Sequence, residues 1–204
     1  MKSTGSWYEV LSENGTKYPA RARGRLRLEG IRETNPIAVG DHVEIEITDG
    51  DATIVQILPR KNHILRQSVK KTMQAHVLAA NVDQAMLIVT LALPRTSLGF
   101  IDRFLVSSES FQIPHILVFN KMDLMEQEGK DQVKKLSAVY SSLGVTCISL
   151  SMITDLLHPI IHILQDKVTL IAGHSGVGKS TFINKLLPEI NQKTGDISDF
   201  SEKG

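Results

Sequence analysis

The segment Gly173-His174-Ser175-Gly176-Val177-Gly178-Lys179-Ser180 sets the tightest limit on how this chain can fold. It matches in full the G-x-x-x-x-G-K-S pattern of a phosphate-binding loop. An apolar run, Val168 to Ala172, precedes it, and Thr181 to Leu187 can continue as a helix. Strand, glycine-rich turn and helix in that order call for an α/β architecture with a sheet covered by helices. The glycines let backbone N–H groups curl around phosphate oxygens without steric cost, and the helix N-terminus adds its positive dipole end. Gly173, His174, Ser175, Gly176, Val177, Gly178, Lys179, Ser180 and Thr181 are the candidate phosphate-site residues. Lys179 and Ser180 are the pair expected to carry chemistry. The lysine would reach the β- and γ-phosphates, and the Ser180 hydroxyl would ligate Mg²⁺. A chance glycine-rich turn is the alternative.

A phosphate loop alone does not choose the base. Asn120-Lys121-Met122-Asp123 does, since it matches the N-K-x-D element of guanine-nucleotide-binding proteins. It follows the apolar run Ile116 to Phe119, at the strand end where open α/β sheets bind ligands. The Asp123 carboxylate can accept two hydrogen bonds, from guanine N1–H and the exocyclic amine. Adenine offers no such pair and would leave the carboxylate unpaired. Lys121 would lie along the base and Asn120 would tie this loop to the phosphate loop. A plain polar strand-to-helix turn is the bland alternative. Ser151-Met152, after the run Val145 to Ile148, is the candidate for a third element that meets guanine O6 through a backbone N–H. Met stands there where Ala is usual.

The motif order is itself informative. Ordinary small GTPases place the phosphate loop first, whereas here N-K-x-D begins at 120 and the phosphate loop at 173. Circular permutation of the fold produces that order, and it is tolerated because domain termini tend to lie close together. The apolar runs Ala85–Leu91, 116–119, 145–148 and 168–172 alternate with helix-length segments near 98–110, 130–143 and 155–165. Alternating strands and helices predict a mostly parallel sheet.

The first 60 residues read differently. Trp7 to Val10, Tyr18 to Leu28, His42 to Ile47 and Ala52 to Leu58 are short strand candidates, separated by Asn14-Gly15, Val39-Gly40-Asp41 and Asp49-Gly50 turns. A small OB-type barrel is expected over residues 1–75, joined through a polar connector (60–84) to a GTPase domain over 76–204. Trp7 is expected to pack inside the barrel, with a base-stacking platform as the alternative. The 204 residues carry a net charge of +1 and one cysteine, Cys147, read as a small buried hydrophobe. One cysteine excludes a disulfide or a cysteine-built zinc site within the chain. The N-terminus has no apolar leader, and no apolar run reaches the roughly 20 residues of a membrane span. A soluble, cytoplasmic, monomeric protein without a membrane partner is expected.

With these motifs in place the chain resembles the ribosome small-subunit-dependent GTPase A family, bacterial GTPases of circularly permuted order. The resemblance rests on Arg23-Gly24-Arg25-Leu26-Arg27, Val39-Gly40-Asp41, Pro59-Arg60-Lys61-Asn62, Ala79-Ala80-Asn81-Val82-Asp83-Gln84 and the two nucleotide motifs. It implies an OB-fold, a permuted GTPase domain and a C-terminal zinc domain. It also implies GTP/GDP with Mg²⁺ as ligands, and action on the small (30S) ribosomal subunit and its rRNA late in assembly. The family's switch threonine, D-x-x-G element and zinc cluster would follow Gly204. The chain is therefore expected to hold part of the GTPase domain, with the phosphate-loop strand at a sheet edge, to bind nucleotide weakly and to hydrolyse GTP poorly or not at all.

The barrel suggests a second binding surface. Arg21, Arg23, Arg25 and Arg27 alternate along one candidate strand, so their guanidinium groups would share a face. A row of arginines suits rRNA phosphates, with Lys61, Arg66, Lys70 and Lys71 as extensions. A merely solvated face is the alternative. Two other function classes stay open: a P-loop ATPase or kinase in which 120–123 is incidental, and an RNA-binding module indifferent to nucleotide.

Overall fold

A computed structural model describes residues 3–4, 7–23, 37–67 and 75–188. The chain divides into two compact units, Met1–Val82 and Asp83–Gly204. The first holds β1 (Ser3–Thr4), β2 (Trp7–Leu11), β3 (Lys17–Ala22), β4 (Val43–Thr48) and β5 (Asp51–Ile57), in sheet order β1-β2-β3-β5-β4. All neighbours are antiparallel except β3 and β5, which run parallel with Ala20 opposite Ala52. This is the OB-type arrangement expected. The turn between β4 and β5 is Asp49-Gly50, with φ of 51° and 88°. Positive φ at both central residues matches the right-handed twist of the strands it joins, and Asp-Gly adopts it at low cost.

Period-two alternation sends Tyr8, Val10, Ala20, Ala52 and Ile54 into one core with Ile37. Burying Ile54, fully enclosed, contributes about 1.5–3 kcal/mol. The same alternation turns Trp7 outward, 39% exposed, with the Arg21 guanidinium 4.0 Å from its ring centroid. Tyr8, not Trp7, is the barrel's buried aromatic.

The expected polar connector is structured. It contains β6 (His63–Gln67) and β7 (Ala75–Ala80), an antiparallel pair. Polar residues interleave its short apolar stretches, so no continuous run announces it. Three of the quoted segments meet here. Arg60 Nε and Nη2 donate to Asp41 Oδ1 and Oδ2 at 2.7 and 2.8 Å. Asn62 brackets Val82 through both its amide atoms, and Asn81 Nδ2 donates to the Gly40 carbonyl at 2.9 Å. Gly40 has φ 93°, and a Cβ there would lie 2.1 Å from the Ala80 carbonyl oxygen. Only glycine fits that approach.

The second unit carries a parallel sheet of β8 (Gln84–Val89), β9 (His115–Phe119), β10 (Thr146–Ser149) and β11 (Thr169–Ala172), in order β10-β9-β8-β11. The helices are α1 (Leu98–Ser110), α2 (Gln127–Ser142), α3 (His158–Leu164) and α4 (Lys179–Leu186). Every residue of β8 is buried, as a continuous apolar run predicts for a central strand covered on both faces. Met86 and Ile88 pack with Ile160, Val177 and Phe182 on one face, and Leu87 and Val89 with Ile101, Leu105 and Val133 on the other. Cys147 is half-buried beside this second cluster. Ser97 caps α1 by accepting the Phe100 N–H. Among the described residues β11 lies at the sheet edge. Helix α3 begins at His158, later than the segment near 155–165 suggests: Asp155 is bonded to Ser151 in the preceding turn, and Pro159 stands in the helix's first turn.

Candidate nucleotide-binding site

The phosphate loop leaves β11 and enters α4. Its glycines take backbone conformations that other residues rarely adopt: φ is 144° at Gly173, 77° at Gly176 and 107° at Gly178. A Cβ at Gly173 would lie 2.3 Å from the Ile88 carbonyl oxygen, and one at Gly178 would lie 2.4 Å from Asn120 Nδ2. The loop is thus pressed against β8 below and the β9 loop beside it. Val177 is fully buried and anchors the loop in the core. Lys179 Nζ donates to the carbonyls of Gly173 and His174 at 2.8 and 2.6 Å, and burial holds its pKa below the usual lysine value. Ser180 and Thr181 follow in the first turn of α4, both half-buried. His174 and Ser175 are exposed, and the His174 ring sits 4.1 Å from that of Phe100 on α1.

Asn120 is 3% exposed and joins three segments remote in sequence. Its Nδ2 donates to the Val177 carbonyl at 2.8 Å, and its Oδ1 accepts the Met152 N–H at 2.9 Å. Both ends of one buried amide are therefore satisfied by the two neighbouring loops. Lys121 takes a left-handed conformation, φ 63°, and its Nζ donates to the Leu93 carbonyl at 2.7 Å. Burial lowers the Lys121 pKa, and Asp123 opposes that shift. Met122 is half-buried against the α1/α2 cluster, while the side chain of Asp123 is exposed.

The Ser151-Met152 turn lies beside this loop. Ser151 Oγ accepts the Asp123 N–H at 2.8 Å, and the Ser151 N–H donates to Asp155 Oδ2 at 2.7 Å. The first two amides of the turn are thus directed to Asp155 and Asn120. Asp155 has a lowered pKa, chiefly from the Ser151 N–H, then from the Thr154 hydroxyl and Lys185. Lys185 of α4 reaches the same turn, donating to the carbonyls of Met152, Ile153 and Asp155. Asp155, Lys185 and Leu93 were not singled out in the sequence. The four-residue spacing from Ser151 to Asp155 is a local capping signal that could have marked the first. Nothing local marks the other two.

The arrangement brings Asn120 to Asp123, Ser151-Met152 and Gly173 to Thr181 to the C-terminal ends of β9, β10 and β11. Glycine-freed backbone, a lysine, a helix N-terminus and an exposed carboxylate at one sheet rim suit a phosphorylated ligand bearing a donor-rich base. Among the described residues no group of three or more His, Cys, Asp or Glu side chains could hold a metal ion. No described helix is long and apolar enough to cross a membrane.

The arginine row is only partly described. Strand β3 ends at Ala22, so Arg21 lies within it and Arg23 just beyond. Arg21 stacks on Trp7, and Arg23 pairs with Glu46 at 3.2 Å with both side chains mostly exposed. Arg25, Arg27, Lys70 and Lys71 lie outside the described residues, as does the side chain of Arg66. Lys61 is exposed, its N–H donating to Asn81 Oδ1.

Comparison with known proteins covers the whole chain. The sequence model of the RsgA GTPase matches residues 57–204, and that of the RsgA N-terminal domain residues 1–55. The small ribosomal subunit biogenesis GTPase RsgA of Bacteroides fragilis (strain YCH46) is 45% identical over 206 residues, covering 100% of this chain and 66% of that protein. The protein of that name from Cytophaga hutchinsonii is 48% identical over 188 residues, covering 90% of this chain and 61% of its own. Crystallographic YjeQ from Thermotoga maritima superposes with a TM-score of 0.73 at 33% identity, over 94% of this chain and 64% of that one. YloQ, described as a circularly permuted GTPase, gives 0.68 at 33% identity, over 92% and 62%. The chain thus spans just under two thirds of the relatives it matches. On the strength of both matches and the shared permuted order, the chain belongs to the RsgA GTPase family.

Proposed function

We propose that this chain binds GTP and GDP at the site built around Asn120, and that the protein hydrolyses GTP to GDP and phosphate during late maturation of the small ribosomal subunit, in the cytoplasm and as a monomer. The observation that carries the reading is the Asn120 clasp. One buried amide aligns the base-reading loop, the Ser151-Met152 turn and the phosphate loop. Such preorganisation reduces the ordering cost of binding.

In hydrolysis a water attacks the γ-phosphate in line while positive charge stabilises the spreading negative charge. Lys179 supplies part of that charge, exchanging its two carbonyl partners for phosphate oxygens. Mg²⁺ neutralises phosphate charge when bound, and the Ser180 hydroxyl at the start of α4 would hold it. The donor set fits, because Mg²⁺ keeps most of its shell as water and substrate phosphate. The zinc implied by the resemblance belongs to the family's C-terminal domain and enters no step here.

The names of the relatives support the small subunit as partner. Arg21, Arg23, Arg25, Arg27, Lys61 and Arg66 would contact rRNA phosphates. Charge reversal of the arginines should weaken subunit binding and flatten its salt dependence, and unchanged binding would remove them from the interface.

The test of the guanine site is displacement of fluorescent GDP from the purified chain by unlabelled GTP and ATP. Displacement by GTP alone supports the reading. Displacement by both would mean that Asp123 does not read guanine. Absence of binding, with small-subunit or RNA binding retained, would favour a nucleotide-independent RNA-binding role for this chain.

A further inference from the structure

Helix α4 begins with the phosphate-loop residues, and its Lys185 lies six positions beyond Lys179. Lys185 Nζ donates to three main-chain carbonyls of one turn: Met152 at 2.9 Å, Ile153 at 3.1 Å and Asp155 at 2.9 Å. All three donors of the ammonium are spent on that turn. Holding a long side chain in one geometry costs conformational entropy, so these bonds must offset it. Carbonyl and N–H of a trans peptide point in opposite directions. Fixing the Met152 carbonyl toward Lys185 therefore fixes the Ile153 N–H on the far side.

The other amides of the turn are occupied. Ser151 donates to Asp155 Oδ2, Met152 to Asn120 Oδ1, and Thr154 and Asp155 both to the Ser151 carbonyl. Among the described residues, Ile153 is the member of this turn whose N–H donates to no protein acceptor. The turn is also tethered to the base-reading loop, through the Asp123 N–H on Ser151 Oγ.

We propose that Lys185 is a positioning residue for base recognition: it locks the 151–155 turn so that the Ile153 N–H is presented to the 6-oxo group of a guanine held by Asp123. Lys185 acts through the turn and does not touch the base. The inference rests on the guanine-site reading. It also couples that site to the phosphate helix, since one rigid helix carries both Lys179 and Lys185.

The experiment is a nucleotide-by-variant cycle on the full chain. GDP and 6-thio-GDP, which keeps N1–H and the exocyclic amine but replaces the 6-oxo oxygen by weakly accepting sulfur, are titrated against the unsubstituted chain, K185M and K185R. K185M should weaken GDP roughly tenfold, about 1.4 kcal/mol, and 6-thio-GDP by less than about threefold. K185R, which keeps donors for the carbonyls, should restore GDP to within about threefold. Equal losses for both nucleotides, or full GDP affinity in K185M, would overturn the proposal and leave the guanine site standing. A chain that binds no GDP at all would overturn the guanine-site reading and this inference with it.

Discussion

Replacing Asn120 by alanine should be among the most damaging single changes in the second unit. The side chain is 3% exposed and holds two bonds, at 2.8 Å to the Val177 carbonyl and 2.9 Å to the Met152 N–H. Each bond contributes about 0.5–1.5 kcal/mol net, and each buried partner left unsatisfied costs about 1–3 kcal/mol. The contact is tight, since a Cβ on Gly178 would come within 2.4 Å of Asn120 Nδ2. Water entering the vacated space would recover some of the loss, so a destabilisation of about 2–4 kcal/mol is expected. Urea unfolding followed by far-UV circular dichroism reads it directly. GDP affinity should fall as well, because the two flanking loops lose their common anchor. Asn120→Asp is the companion variant: it keeps an acceptor for Met152 but aims a carboxylate at the Val177 carbonyl, so it should not rescue. A cost below about 1 kcal/mol for Asn120→Ala, or full stability in Asn120→Asp, would show that the loops hold their places without this clasp.

Two further perturbations follow from the charged groups. The Ser151 N–H bonded to its carboxylate holds the folded pKa of Asp155 below the ordinary aspartate value of 3.8, so the unfolded chain binds more protons in the interval beneath 3.8. Its contribution is present above that value and is lost as pH falls through the folded pKa; in Asp155→Asn the acid-limb fall in unfolding midpoint should be shallower, and a parallel fall would refute the assignment. In the first unit, Arg60→Ala strands Asp41, whose side chain is 0% exposed, and should cost about 3–5 kcal/mol in chemical unfolding. Pairing it with Asp41→Asn should recover part of the loss, and a double variant no more stable than Arg60→Ala would contradict the stranded-charge account.

The local chemistry of the chain settles a good deal of its fold. The apolar run that starts at Ala85 reads as a strand buried on both faces, which β8 is over Gln84–Val89, and α1 spans Leu98–Ser110 where a segment of helical length is expected. The phosphate loop is a property of its own glycines, which is why Gly173, Gly176 and Gly178 can be read from a string of letters. The β6–β7 hairpin was hidden because its stability lies in pairing and in Asn62 and Asn81 contacts spanning 20 to 41 positions, which leave no periodic trace. An interior Trp7 is the expectation from the sequence, whereas the register of β2 gives the interior to Tyr8 and Val10.

The local parts are thus legible residue by residue: two nucleotide motifs, their permuted order, and the elements that carry them. How those parts hold one another follows from the folded arrangement. Asn120 reaches across 57 positions to Val177 and 32 to Met152, and Lys185 reaches back across 33 to the same turn. Local preferences act over a turn of helix or a strand pair. The partners of a buried amide or a bridging lysine are chosen by which strand ends the sheet brings together, and that choice exists only once the chain has folded.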